Sequence, residues 1–493
     1  MINFMFLHDT IEEVLRTGTQ QAMTDKEFLE RQISDWVESR KRREMIKGEE
    51  YYRGLHDIRF KQRTAIGEGG KLVNVTNLPN NKICDNQYRK LVNQKKNYLV
   101  GRPFTVQTED DNYTKLLQNE FDKSFMKKMK LIAENAYNSG ICWLYVGYDE
   151  SGQLSFKVIK AREILPFWHD IDHETLDAAV RLYEVTNYNG HDEEILQKVE
   201  VYDANGITYF DRVNGSLVPA APYHQPYFTV GAENPQGYNW SRIPLIAFKY
   251  NNDETPLIRM VKSVQDGLNK IESAFEDGME ENPRNSIMVL VNYDGENLGE
   301  FRRNLSTYGA VKVRSSDGVS GDVRTLNVEV NAENYRAIID VFRKAIIENG
   351  MGYDAKDERM AGTPNQMNIK SMYSDIDLDA NETETEFQAS MEQLIWFVDM
   401  HLANTGAGDY TNVPVEVTFN RDIMVNESET IDDVNKSTDL SLETRLSHHP
   451  WVNDVDAEIK RIDEQKEKDV NLYGNAFNGA QKPNGGGDEG NAE

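Results

Sequence analysis

Over residues 256–403 the apolar positions fall on helical spacings, interrupted by one short β-rich insert. Leu257, Val261, Val264, Leu268, Ile271 and Phe275 recur at alternating steps of four and three, which places them on one seam of a helix. Arg259, Lys262, Asp266, Lys270, Glu272 and Glu276 occupy its other faces, and Asn282-Pro283 is expected to stop it. A second amphipathic helix, Ala332–Asn349, presents Tyr335, Ile338, Ile339, Phe342, Ile346 and Ile347 and ends at Gly350. Two long helices bracketing a small insert read as a stalk carrying a head. A stalk with charge on several sides is expected to pack beside copies of itself, which would bury its apolar seams.

Elsewhere the pattern divides in two. The first hundred or so residues read as helical: Thr24-Asp25 can cap a helix containing Phe28, Leu29, Ile33, Trp36 and Val37, and another helix is predicted over 83–99. From 141 to 250 the spacing shortens to strands. Trp143 to Val146 and Leu154 to Val158 flank a turn at 149–152, and Lys198 to Tyr202 is expected to pair with Thr208 to Phe210 across Asn205-Gly206. The insert carries predicted strands at 287–291, 310–313 and 323–330 and a small helix at 298–308. A strand at 413–419 is expected to return to the β-region. Residues 425–469 read as charged helix broken at Pro450, and 474–493 has the composition of a disordered tail.

Composition narrows the class. A chain of 493 residues with 39% hydrophobic and 10% aromatic positions is expected to fold into several cores. No apolar run approaches the ~20 residues of a membrane helix, and the first residues lack the basic start of a secretory signal. Cys84 and Cys142 have no CxxC neighbour and read as buried thiols. The net charge of −27 argues against a tightly held nucleic acid, because such binders neutralise phosphate with Lys and Arg. It suits either an ordinary solvated surface or a surface that DNA slides past without sticking.

No enzyme motif is complete. Residues 67–72 have the wrong glycine-to-lysine spacing for a phosphate loop, and no GxSxG, HExxH or Cys/His zinc pattern is present. His169, Asp170, Asp172, His173 and Glu174 read as a polar turn or as metal ligands of no known spacing. His448-His449 reads as a helix end. Asp375, Asp377, Asp379 and Glu386 reproduce positions 1, 3, 5 and 12 of a calcium loop, but Ala380 replaces the required glycine. Lys356 and Arg359 lie in a glycine-bounded loop over 351–362, which can be merely solvated or can approach a nucleic-acid backbone.

Three segments carry a resemblance. The run EFRRNLSTYGAVKV at 300–313, KSMYSDIDLDANETE at 370–384, and His449-Pro450-Trp451-Val452 followed by Asp456, Glu458, Ile459 and Arg461 are similar to portal proteins of tailed bacteriophages, in the branch found in siphophages of Gram-positive hosts. The resemblance implies an α+β portal fold assembling as a ring, usually dodecameric, around a central channel. It implies a wing at 1–255, stem helix one at 256–282, a clip at 283–330, stem helix two at 331–349, a tunnel loop at 350–366, a spine helix and returning wing strand at 367–424, a crown at 425–472 and a disordered tail at 473–493. Lys356 and Arg359 would lie near DNA, and Arg302, Arg303 and Arg314 in the clip would meet partners. Implied partners are identical subunits, double-stranded DNA in the channel, the terminase large subunit, scaffold and major capsid proteins, and a head-completion or adaptor protein. The place would be the capsid vertex of the virion, reached through the host cytoplasm, with no membrane. No cofactor is implied, and with no nucleotide cradle the chain is not expected to be an enzyme. At 364–368 the chain has Pro-Asn-Gln-Met-Asn where relatives often carry a small Ser-Gly-Val-Ala-like run.

Two other readings stay open. A metal-dependent hydrolase would use Asp375, Asp377, Asp379 and Glu386, or the 169–174 cluster. A head-assembly adaptor would need no channel.

Overall fold

In the computed structural model the described residues are 24–66, 70–76, 78–190, 192–231, 234–281, 287–291, 299, 322–326, 331–354, 366–421, 427–452, 455, 458–466 and 468. They belong to two compact units, one of Met1–Asp354 with Asp375–Asp422, the other of Ala355–Ser374 with Ile423–Glu493.

The first unit begins with α1 (Asp25–Glu38) and α2 (Arg40–Tyr52). Thr24 caps α1 reciprocally: its hydroxyl accepts the Glu27 amide while the Glu27 carboxylate accepts the Thr24 amide. The hairpin β1 (Thr64–Ile66) and β2 (Leu72–Asn74) leads to α3 (Gln87–Val100), β3 (Thr105–Gln107), α4 (Asp111–Glu120) and α5 (Lys123–Ser139). Phe125, Met129, Ile132, Ala133, Ala136 and Tyr137 line one buried face of α5, which packs on β4 (Ile141–Tyr148). Gly140, at φ +81°, makes the turn between them, where a Cβ would meet the Glu254 carbonyl at 2.0 Å.

The strands that follow are β5 (Leu154–Ile159), β6 (Ile164–Trp168), β7 (Leu176–Asn189), β8 (Asp192–Asp203), β9 (Gly206–Val213), β10 (Ser216–Gln225), β11 (Phe228–Val230), β12 (Gln236–Tyr238) and β13 (Leu245–Lys249). They form a three-stranded sheet in the order β13-β4-β5, a five-stranded antiparallel sheet β10-β9-β8-β7-β6, and the pair β11-β12. Both sequence-predicted hairpins are present, with Trp143 opposite Ile159 and Val201 opposite Thr208. Leu29 and Ile33 of α1 share a core with Val180, Leu182, Val199, Val201 and Phe210 of the larger sheet.

Beyond the sheets come α6 (Ile258–Glu281), β14 (Ile287–Val291), β15 (Asp322–Leu326), α7 (Ala332–Asn349), the 40-residue α8 (Gln366–Thr405) and β16 (Glu416–Thr418). β14 pairs antiparallel with β15. The predicted helix at 298–308 and strand at 310–313 lie outside the described residues. β16 does not return to the β-region as expected; it pairs with β3, a strand the helical reading of the N-terminal part overlooked. The α8 helix lies on β13 through Phe387 against Phe248 and through Ser390, whose hydroxyl donates to the Ala247 carbonyl at 2.6 Å. In the second unit, α9 (Glu427–Lys436) and α10 (Leu442–Ser447) precede a helical stretch at 458–466, so the helix expected over 425–469 already breaks at 437–441. His448 ends α10, its Nδ1 2.9 Å from the Thr444 carbonyl, as a helix end requires.

The buried face of α6 differs from the one its apolar seam predicts. Leu257, Val261 and Leu268 are buried, but so are Gln265, Asn269, Ser273 and Asp277, a ladder at four-residue spacing. Asp277, Ser273 and Asn269 receive backbone amides from an extended strap, and Gln265 receives one from the first turn of α3. Asp277 accepts from Asn81 at 2.7 Å, Ser273 from Ile83 at 2.9 Å, Asn269 from Asp85 at 3.1 Å and Gln265 from Tyr88 at 3.0 Å. Four helical residues rise about 6.0 Å and two extended residues about 6.6 Å, so strap and helix stay in step. The strap delays the start of α3 from the predicted Ile83 to Gln87. It also turns alternate side chains outward, so Cys84 is exposed while Cys142 is buried as expected.

The rest of the seam is covered inside the chain. Phe275 lies 5.1 Å from Tyr335 of α7, and a Cβ on Gly267 would come within 2.8 Å of the Phe342 ring. Arg343 of α7 reaches Glu272 at 3.0 Å and Asp85 of the strap at 2.9 Å. The expectation that identical neighbours would bury these seams is therefore corrected. Two antiparallel amphipathic helices cover much of each other, while Ile338 of the predicted α7 face stays exposed together with Val341 of α7 and Met260 and Met279 of α6.

His56 sits behind the ladder, stacked on Tyr51 at 4.3 Å. Its Nδ1 accepts from the Asn269 amide at 2.8 Å and its Nε2–H donates to the Tyr51 carbonyl at 3.0 Å, the pattern of a neutral ring. Burial pushes its pKa below the ordinary 6.5. The unfolded chain therefore binds more protons just below pH 6.5, and stability falls as pH drops through that window. His56→Gln is expected to flatten that part of a stability–pH profile measured by urea unfolding. Asn269→Ala removes a buried partner from the Asp85 amide and from His56, and should lower stability by about 2–3 kcal/mol; exposed Lys270→Ala should change it by less than about 0.5 kcal/mol.

Candidate functional site

The described residues nearest the predicted tunnel loop are its entry, Gly350 to Asp354, and α3 grips them. Gly350 and Gly352 lie so close to Leu91 that a Cβ on either would sit 2.2 and 2.4 Å from its methyl groups. Between them Met351 takes a left-handed conformation, φ +49°. Its carbonyl accepts from Lys95 Nζ at 3.2 Å, and the Tyr353 carbonyl accepts from Gln94 at 3.1 Å. One turn of α3 thus fixes the direction in which the chain leaves α7.

Lys95 is fully buried and also pairs with Asp379 of α8, Nζ to Oδ2 2.6 Å. Tyr250 donates its hydroxyl to the other oxygen at 2.5 Å, and Thr383 donates to the Tyr250 carbonyl at 3.1 Å. Burial lowers the Lys95 pKa despite the opposing pull of Asp379, and burial raises that of the Tyr250 hydroxyl well above 10. A turn away on α8, Asp377 accepts from Tyr98 of α3 at 2.9 Å and from Arg421, whose guanidinium also pairs with Glu384 at 2.5 Å. Two ionic clamps therefore lock α3 to α8, one dry and one at the surface, and the dry clamp holds the loop entry as well. The site binds backbone and sets direction.

The chain matches the family of phage portal proteins described as SPP1 Gp6-like, over residues 36–472. It belongs to that family. It is 27% identical to the portal protein of Bacillus phage SPP1 over 439 residues, 87% of this chain and 85% of that one. It is 25% identical to the portal protein of Clostridium phage phiCD119 over 459 residues, covering 90% and 97%. Among solved structures, the neck of an empty gene transfer agent (GTA) particle computed with C6 symmetry aligns at TM-score 0.39 and 11% identity, over 73% of this chain and 88% of that one.

Within this portal-family chain, Lys356 and Arg359 of the loop and Arg302, Arg303 and Arg314 of the insert lie outside the described residues. The calcium-loop alternative is corrected. Asp375, Asp377, Asp379 and Glu386 stand on one continuous helix, and two of them are already neutralised, Asp377 by Arg421 and Asp379 by Lys95. On that helix Asp377 is turned about 160° from Asp375 and Asp379, and Glu386 lies about 10 Å further along the axis than Asp379, whereas a calcium loop must converge its ligands on one point. The 169–174 cluster is the polar turn between β6 and β7. Asp170 accepts the amides of Glu174 and Thr175, His169 pairs with Asp177 at 3.1 Å, and His173 with Glu254 at 2.7 Å. Among the described residues no group of three or more His, Cys, Asp or Glu is placed to hold a metal ion, and no helix is long and apolar enough to cross a membrane.

Sequence reasoning missed Lys95 and the ladder on α6. The ladder had a legible signal, Gln, Asn, Ser and Asp at four-residue steps beside the apolar seam. A lysine within an amphipathic helix has none, because its partner is 284 positions away along the chain. Lys95→Met strands a buried carboxylate and is expected to cost about 3–5 kcal/mol in thermal or urea unfolding. Adding Asp379→Asn, which keeps an acceptor for Tyr250, should recover most of the loss.

Proposed function

We propose that this portal-family chain is the subunit of a ring at one vertex of a phage capsid, through which double-stranded DNA is packaged and later ejected. The observation that carries the reading is the family match, whose span of residues 36–472 includes the helix pair, the loop entry and α8. In this reading residues 1–255 are wing, 256–282 and 331–349 stem, 283–330 clip, 350–366 tunnel loop, 367–424 spine and returning strand, and 425–472 crown. An α6 of 24 residues spans about 36 Å at ~1.5 Å per residue, enough to wall several nanometres of channel. The ring, of about twelve subunits, closes by a heterologous contact in which one side of each subunit meets a different side of the next. Because the apolar seam is used within the chain, stem contacts between neighbours fall on the face bearing Ile338 and Val341.

In this reading Lys356 and Arg359 lie toward the channel, where two cations per subunit give a weak grip that salt weakens. The charge of −27 keeps the remaining wall from holding DNA. Work of translocation comes from a separate ATPase, the terminase large subunit. Scaffold, major capsid and head-completion proteins meet the outer surfaces, with Arg302, Arg303 and Arg314 contributing at the clip.

The purified chain is expected to give rings of about twelve subunits with an axial pore in negative-stain images, and a monomer at every salt concentration would overturn the reading. Replacing Lys356 and Arg359 together with Ala should leave ring formation intact and reduce DNA packaged per procapsid. Loss of the ring itself would place those residues elsewhere than the loop.

A further inference from the structure

The larger sheet continues past its own edge as an unsupported ribbon. β6 pairs with β7 only up to Arg181, and β9 pairs with β8 only from Gln197 onward. From Val185 opposite Leu196 to the tip, β7 and β8 have only each other. A bare two-stranded ribbon is marginal in water, yet this one exposes Val185, Tyr188 and Ile195, Tyr188 at 71% and Ile195 at 62%. Its outer part carries Asp192, Glu193 and Glu194, with no Lys or Arg between Glu184 and Gln197. Among the described residues none of the three carboxylates has a basic partner.

A complementary surface lies on α5. Lys123, Lys127 and Lys130 stand at i, i+4 and i+7 on one exposed face, beside Lys128 and beside Leu131, which is 46% exposed. Lys130 donates only to the Gly101 carbonyl and Lys128 lies over the Phe156 ring, so none of the four meets a carboxylate among the described residues. Four uncompensated lysines around an apolar side chain are unusual in a chain of net charge −27.

We infer that the β7–β8 ribbon of one subunit docks on the lysine face of α5 of the next. The acids at its tip would meet Lys123, Lys127 and Lys130, and Tyr188 and Ile195, which share one face of the ribbon with Glu193, would cover Leu131. The inference rests on the ring reading and deepens it. A closed ring needs two different, mutually complementary patches on one chain, and the acidic ribbon and the basic helix face are such a pair. A nucleic acid suits the helix face alone, since the ribbon would repel phosphate.

The test is a charge swap in the full chain, with ring fraction read by native mass spectrometry and negative stain at fixed concentration and salt. Glu193→Lys with Glu194→Lys, and separately Lys127→Glu with Lys130→Glu, should each reduce the ring fraction roughly tenfold. All four together should restore it to within about threefold of the natural chain, because the pairing is re-formed with its sign reversed. Circular dichroism should be unchanged throughout, as every substituted side chain is exposed. Rings that form equally well in both double variants, or a fourfold variant no better than its parents, would overturn the contact while leaving the ring reading intact. Lysine variants that lose only DNA binding would also overturn it. If the natural chain forms no ring under any condition, both fall.

Discussion

The register between the extended strap at 81–86 and helix α6 is the constraint on which the described architecture of the first unit turns. Backbone amides in an extended segment cannot pair with one another, and buried ones must find acceptors elsewhere. Here the acceptors are side chains of a helix, supplied at four-residue steps that match two residues of strap. The match fixes α6 in rotation and in translation, since a slip of one helical residue would turn the polar ladder about 100° away. With α6 fixed, its apolar seam faces α7 and α3, and its outer faces are left for other contacts. Hydrophobic burial alone would tolerate a sliding helix; hydrogen bonds with direction do not.

The Lys95–Asp379 pair builds on that fixed frame. A buried ion pair gives little net stability, because desolvation offsets most of the attraction. Its contribution is geometric. One ammonium can satisfy Asp379 and the Met351 carbonyl together only when α3, α8 and the end of α7 are all in place. The cost of leaving either charge unpaired in a dry site makes partly assembled arrangements unfavourable. The segment that leaves Gly350 thereby starts from a defined direction.

Much of the architecture was legible because local rules govern it. The Thr24 cap of α1, the hairpins at 149–152 and 205–206, the helix pair α6 and α7 and the long helix α8 all follow from spacing over a few residues. The misplaced features share one cause. Ile83 belongs to a helical pattern by composition, but the ladder on α6 draws the chain into extended form as far as Asn86. The 413–419 strand was foreseen, but its partner Thr105–Gln107 is three residues long, too short to show a period against helical neighbours. The 375–386 acids match a metal loop as a string of letters, while the helix they sit on turns Asp377 away and spreads the others along its axis.

The sequence by itself determined the family, the helix pair around a β-insert, and the absence of complete catalytic motifs, since these reside in short spacings and in residue identity. Tertiary structure alone decided which faces are spent inside the chain and which stay open. It turned the apolar seam of α6 inward, paired Lys95 with a carboxylate 284 positions away, and left an acidic ribbon and a lysine face uncovered. The physical reason is that burial and charge pairing depend on distances through space. Residues far apart in the chain become neighbours only after every nearer element has taken its place.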